Sequence, residues 1–249
     1  MTDTLLAHRS IRKYKTDPIP KAILDYILEA GTRASTTGNM QLYSIVVTTD
    51  ETIKAELSPC HFKQSMVQEA PMVLTFCADF NRFNKWCEQR KAEPGYDNFL
   101  SFFTAAIDAL LVAQNVCVAA EDAGLGICYL GTTTYMAGKI IDILELPRGV
   151  VPVTTVTVGY PNEWPELTDR LPLEAVVHRE KYHNYRESDI DRHYREKELM
   201  PTYQTFIKEH GKESLAQVFT DVRYKKDDNV LFSKSLLDIL AKQGFMNHP

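Results

Sequence analysis

The chain has 249 residues, 44% hydrophobic, 10% aromatic and 24% charged, with 28 Lys and Arg against 33 Asp and Glu for a formal net charge of −5. Ordinary apolar content excludes an intrinsically disordered chain, and a pI near 5.8 offers no general attraction to a phosphate backbone. No apolar run is expected to reach the roughly 20 residues of a bilayer span, so neither nucleic acid nor membrane is an expected partner. The segment MTDTLLAHRSIRKYK lacks the apolar stretch and cleavage site of a secretory signal. Five cysteines (Cys60, Cys77, Cys87, Cys117, Cys128) form no C-x-x-C pair, which predicts a reduced, cytoplasmic protein.

In chain order, Pro20 is placed at the first position of a helix carrying Ile23, Ile27, Ala30 and Ala34 at helical spacing. The β-branched run Leu42–Thr49 reads as a strand, as do Met72–Asp79 and Val153–Tyr160. Between the last two lies Thr104–Gly124, apolar on nearly every face, which predicts a helix buried all round with Gly124 as its stop. Beyond Arg170 the texture turns polar. His178–Glu198 reads as an arm followed by an exposed helix, and Val230–Gly244 as a final amphipathic helix. Helices and strands mix without βαβ alternation, so the expected class is α+β with a mainly antiparallel central sheet flanked by helices. Residues 1–249 are read as one domain, with a core over 1–175 and a C-terminal arm and helices over 176–249.

Signatures of familiar chemistries are absent: no G-x-S-x-G, no H-E-x-x-H and no Walker loop. Cys60-His61 are adjacent but lack further ligands at metal-binding spacing. GLGICYLG (Gly124–Gly131) follows a helix instead of a strand, so it fails the test of a dinucleotide-binding turn. Four segments keep chemistry suited to a ligand. In HRSIRKYK (His8–Lys15), Arg9 and Arg12 with Ser10 can bind a phosphate, although such a cluster also suits a solvated face. RASTTGNMQ (Arg33–Gln41) offers Thr36, Thr37 and Asn39 on a loop, or simply a satisfied turn. In CYLGTTT (Cys128–Thr134), Gly131 admits close backbone approach; the plainer reading is a strand-to-helix turn capped by Thr133 or Thr134. GYPNEWPELTDRLPLE (Gly159–Glu174) is extended, with Arg170 as its isolated cation.

Taken in this order, HRSIRKYK, ASTTGNMQ, the Ala-rich helix closing on GLGICYLG, and V-G-Y-P…DRLP resemble the FMN-dependent nitroreductase family over nearly the whole chain. FCADFNR (Phe76–Arg82) and LDILAKQGF (Leu237–Phe245) are similar to its oxygen-insensitive NADPH nitroreductase and flavin reductase branch. The resemblance implies the nitroreductase-like fold and a homodimer with two FMN sites built from both subunits. It implies that His8, Arg9, Ser10 and Arg12, with Arg170, hold the phosphate and ribityl groups. Thr36, Thr37, Asn39 and Gln64 would contact the flavin, while Tyr129, Leu130, Gly131 and Thr132 would lie along its ring. The implied reaction is ping-pong: NADPH or NADH passes hydride to flavin N5, and a nitroaromatic, quinone or free flavin then takes the electrons. The flavin carries the chemistry, so no side-chain general base is expected. A flavin store or sensor without turnover is an alternative, as is dehalogenation or enone reduction on the same scaffold. Three positions depart from the branch: Thr168 stands for a lysine, Thr132 for a second glycine, and His210-Gly211-Lys212 for an Arg-Gly-Ser loop. Lys212, Arg223, Lys225 and Lys226 remain candidate cations for the 2′-phosphate of NADPH, the expected donor.

Overall fold

The computed structural model describes residues 2–248. The chain divides into two compact units, one formed by Met1–Glu166 with Phe232–Pro249 and the other by Leu167–Leu231.

The first unit is built on a four-stranded sheet of β1 (Tyr43–Thr48), β2 (Met72–Asp79), β3 (Gly126–Leu130) and β4 (Val150–Gly159) in the order β1-β2-β4-β3, antiparallel throughout. Helices α1 (Thr2–Leu6), α2 (Lys21–Thr32), α3 (Glu51–Leu57), α4 (Met66–Glu69), α5 (Asn81–Gln89), α6 (Phe99–Asp122) and α7 (Ala137–Ile143) surround it. Strand alternation sorts the core into two layers. Met72, Leu74, Phe76, Ile127 and Val156 pack against α6 and α2. Val73, Cys128 and Leu130 pack on the other side with Leu57, Val67 and Ile140. The α+β, mainly antiparallel expectation is met.

The differences are local and each has a cause. Pro20 is the cap of α2, not its first helical residue, because its ψ of 140° is extended. Strand β3 enters the sequence reading only as the lead into the strand-to-helix turn of Cys128–Thr134, with no bounds of its own. The first two glycines of GLGICYLG have different causes. Gly124 ends α6 at φ +82°, as expected, while at Gly126 a Cβ would lie 2.6 Å from Ile11. Thr133 precedes the 3-10 turn Thr134–Met136 but does not cap it with its side chain; its hydroxyl donates to the Leu130 carbonyl at 3.0 Å, and Met136 occupies the cap of α7.

Helix α6 starts at Phe99, five residues earlier than read, because the Asn98 side chain accepts the Ser101 amide. An 18-residue stretch of its 24 residues has a mean hydropathy of 1.7, so the helix is long and apolar enough to cross a membrane by length and composition, against the expectation that no run was. Over half of that apolar stretch is nevertheless buried in the fold, and Asp108 sits fully buried within it. Nor is the helix buried all round. Leu100, Phe103, Ile107, Leu110 and Leu111 form an exposed stripe, Leu100 being 70% exposed.

The second unit holds α8 (Glu187–Leu199), α9 (Pro201–Glu209), α10 (Leu215–Val218) and the beginning of α11 (Lys226–Lys242). Asp169 anchors it internally, pairing with Lys197 at 2.7 Å and accepting the Tyr203 hydroxyl at 2.7 Å. Helix α8 is largely exposed, as expected of the polar run His178–Glu198, whereas Leu215 and Val218 of α10 are buried.

Candidate functional site

The N-terminal basic segment is stitched to the sheet by its backbone. Ile11 N–H donates to the Ile127 carbonyl and Lys15 N–H to that of Tyr160, both at 2.9 Å. Ile11 and Tyr14 are buried, so the side chains between and beside them point away from the core. Glu163 completes the attachment by accepting the backbone N–H groups of Arg12 (2.7 Å) and Lys13 (3.1 Å). That carboxylate was missed by the sequence reading, as nothing in G-Y-P-N-E marks it.

The four expected phosphate ligands here differ in how free they are. Arg12 is exposed, and its guanidinium makes no hydrogen bond or ion pair among the described residues. Arg9 spends two nitrogens on the Ala7 and Pro165 carbonyls and lies 6.0 Å from the Trp164 ring, leaving one nitrogen without a partner among the described residues. Ser10 lies beside the Cys128 thiol, whose pKa is pushed up by burial. His8 is turned to Glu121, with Nδ1 2.7 Å from the carboxylate.

The loop leaving β3 adjoins this segment, since Ile11 pairs with β3 itself. Gly131 is exposed with open space where a Cβ would stand. The Gly131 and Thr132 N–H groups have no hydrogen-bond partner among the described residues, so two neighbouring donors remain available. The side chain of Leu130 is buried in one core layer and Tyr129 packs against the other, its hydroxyl reaching Gln114 at 3.4 Å. These two can therefore offer a ligand mainly backbone. Gln64 joins the same neighbourhood through His61. Its Nε2 donates to the His61 carbonyl at 3.0 Å, and the His61 ring lies 2.8 Å from the Thr132 hydroxyl.

Thr36, Thr37 and Asn39 belong to a second neighbourhood. Their loop has positive φ at Gly38, Asn39 and Gln41, with Met40 in the right-handed region between the last two. Asp108 of α6 holds it from beneath, its two oxygens accepting the Thr37 N–H at 2.9 Å and the Leu42 N–H at 3.2 Å. Arg82 holds the far end by donating to the Gln41 and Tyr43 carbonyls. The Thr36 and Thr37 hydroxyls and the Asn39 amide are left without partners among the described residues. No described contact joins this loop to the Arg12–Gly131 neighbourhood within one chain. Asp108 and Arg82 were not read as site residues; an aspartate inside an otherwise apolar helix was the available signal.

In the second unit Arg170 is exposed and folds back on the Thr168 and Asp169 carbonyls. Of the candidate donor-binding cations, Lys212 is paired with Asp221 at 2.8 Å and Arg223 lies 4.7 Å above the Phe206 ring.

Comparison with known proteins agrees with the geometry. The model of the nitroreductase family matches residues 5–160. The NADPH-dependent FMN reductase of Bacillus subtilis is 33% identical over 213 residues, 85% of this chain and 83% of its own length. A solved Bacteroides fragilis protein, described no further than as an oxidoreductase, is 57% identical with a TM-score of 0.97, covering 98% of this chain and 100% of its own. The NfrA1 nitroreductase of Bacillus subtilis superimposes with a TM-score of 0.86 at 28% identity, covering 99% of each chain. The chain belongs to the nitroreductase family. Within it, the chain is similar to the NADPH-linked flavin oxidoreductases, which bears out the expected enzyme class.

Proposed function

We propose that the chain is an FMN-dependent oxidoreductase that draws electrons from NADPH, or NADH, and reduces a small aromatic or quinonoid acceptor or a free flavin. The observation that carries this reading is a set of unpaired donors on one sheet edge: the Arg12 guanidinium, one Arg9 nitrogen, and the Gly131 and Thr132 amides. A phosphate suits the first two through charge-assisted bonds, and the electron-rich edge of a flavin ring suits adjacent backbone N–H groups. The residues therefore fit FMN. Bound FMN would supply hydride acceptance from the nicotinamide and delivery to the acceptor.

The chain's own part is binding, orientation and exclusion of water. Burial pushes the Tyr129 hydroxyl and Cys128 thiol upward and holds both protonated at neutral pH. Gly131, lacking a side chain, leaves room for a ring to lie against the backbone. The loop of Thr36, Thr37 and Asn39 would come from a second subunit, because its free polar groups have no described route to Arg12 within one chain. The exposed apolar stripe of α6 supports a homodimer: faces of this kind mark protein interfaces. Reduced cysteines, all five free and buried, support a soluble protein of the cytoplasm.

The visible spectrum of purified protein tests the reading. A bound flavin band that bleaches on anaerobic addition of NADPH is the expected result. A flavin band that NADPH leaves unchanged would favour a store or sensor instead. Sedimentation at micromolar concentration is expected to give a dimer, and Ile107→Glu on the stripe should shift it to monomer.

A further inference from the structure

Gln64 and Thr132, both expected to contact the flavin, meet at one buried residue outside the expected set, Gln64 at its backbone and Thr132 at its ring. His61 closes the turn Ser58–His61 and has no exposed surface. Its carbonyl accepts both the Gln64 backbone N–H at 3.2 Å and the Gln64 side chain at 3.0 Å. Its ring Nδ1 lies 2.8 Å from the Thr132 hydroxyl, and the other ring nitrogen, Nε2, is buried without a partner among the described residues. Burial pushes the ring down to about 4, so it is neutral at physiological pH. A half-satisfied imidazole is a costly core residue, since an apolar side chain would avoid the unpaired polar atom. Its one side-chain hydrogen bond is therefore the feature to explain.

Thr132 shows what that bond does. Its carbonyl accepts the Tyr135 N–H at 3.1 Å and its hydroxyl is turned to His61, so two of its three polar groups face protein. Only its N–H, beside that of Gly131, stays open. A threonine with a free rotor at this place would offer a competing hydroxyl; pinned, it offers a fixed amide. We infer that His61 is a positioning residue for the flavin site, its ring locking Thr132 while its backbone carbonyl holds Gln64, so that one residue sets two ligand-facing groups. The inference rests on the flavin reading above.

Titration of apoprotein with FMN, followed by flavin fluorescence and the visible absorption band, tests it. Thr132→Val keeps the shape and removes the hydroxyl. It should weaken FMN roughly five- to tenfold and shift the band. His61→Leu should do the same, and the double variant should be no worse than either single one. His61→Asn, whose amide reaches the Nδ1 position, should restore most of the loss, which a purely space-filling role would not. If His61→Leu fails to fold, Thr132→Val decides alone. Wild-type affinity and an unchanged band in Thr132→Val would overturn the inference and leave the flavin reading standing. Failure of the wild-type protein to bind FMN would remove both.

Discussion

The two neighbourhoods of the candidate site are held in opposite ways. The Arg12–Gly131 neighbourhood is stitched by backbone: Ile11 to Ile127, Lys15 to Tyr160, and β3 to β4. The Thr36–Gln41 loop has no strand partner and three left-handed residues, and it hangs on two charged side chains, Asp108 and Arg82. Backbone pairing is spread over many weak bonds and tolerates single substitutions. A loop suspended from two charged side chains does not. The comparison teaches where the site is fragile: at a helix core position remote in sequence from every expected ligand.

The largest expected effect follows from that. Asp108→Ala strands the Thr37 and Leu42 N–H groups and should cost about 3–5 kcal/mol of stability, since each is a charge-assisted bond worth roughly 1.5–3 kcal/mol. Urea unfolding measures it. A loss below about 1 kcal/mol would erase the contrast between the two neighbourhoods.

Next comes a pH effect confined to the stitched neighbourhood. His61 falls from its ordinary 6.5 to about 4 because burial disfavours the charged ring. Between those values the unfolded chain takes up a proton and the folded chain does not. Stability present above about pH 6.5 should therefore decline as pH falls toward 4 and then level off, by about 3 kcal/mol at most. The difference between wild type and His61→Asn, measured by unfolding at pH 7 and pH 5, isolates this group. Equal pH dependence in the two proteins would show that His61 opens to solvent.

Much of this was legible in the sequence, and the gaps have physical causes. β-branched runs announced β1, β2 and β4, because a buried strand needs those side chains. Strand β3 hid behind glycines. Gly126 is there for the close approach of Ile11, a constraint that comes from a partner 115 positions away in the numbering and leaves no local mark. The ligand-facing residues could be named from a resemblance, but their supports could not. Glu163, His61, Asp108 and Arg82 act through geometry between distant segments. The stripe of α6 looked buried because its composition is that of a core; exposure is a property of the single chain that composition does not encode.

A third prediction returns to the stitched neighbourhood from the ligand's side. Net charge of −5 opposes an anionic phosphate in bulk, so local cations must supply the attraction. Arg12 is the freest of them. Arg12→Ala should weaken FMN roughly tenfold to a hundredfold, giving paler protein that regains activity with excess FMN. Full flavin occupancy after dialysis would place the phosphate elsewhere.

The smallest effect is expected at Arg170, and the reason is its surroundings. Its guanidinium is exposed and already donates to the Thr168 and Asp169 carbonyls, the latter at 2.9 Å. Recruitment to a phosphate must first exchange those bonds or share them, so the net gain is the difference between two similar contacts. Water also screens an exposed charge, and such pairs contribute about 0.2–1 kcal/mol. Arg170→Ala should therefore weaken FMN by no more than about fivefold, and raised salt should shrink even that. Titration with FMN at low and at high ionic strength reads both quantities. Lys15, exposed and without a side-chain partner among the described residues, is the control and should change little. A loss at Arg170 as large as that at Arg12, persisting in high salt, would mean that this arginine leaves its carbonyls and becomes a desolvated phosphate ligand. The stitched sheet edge would then not be the dominant anchor for the phosphate.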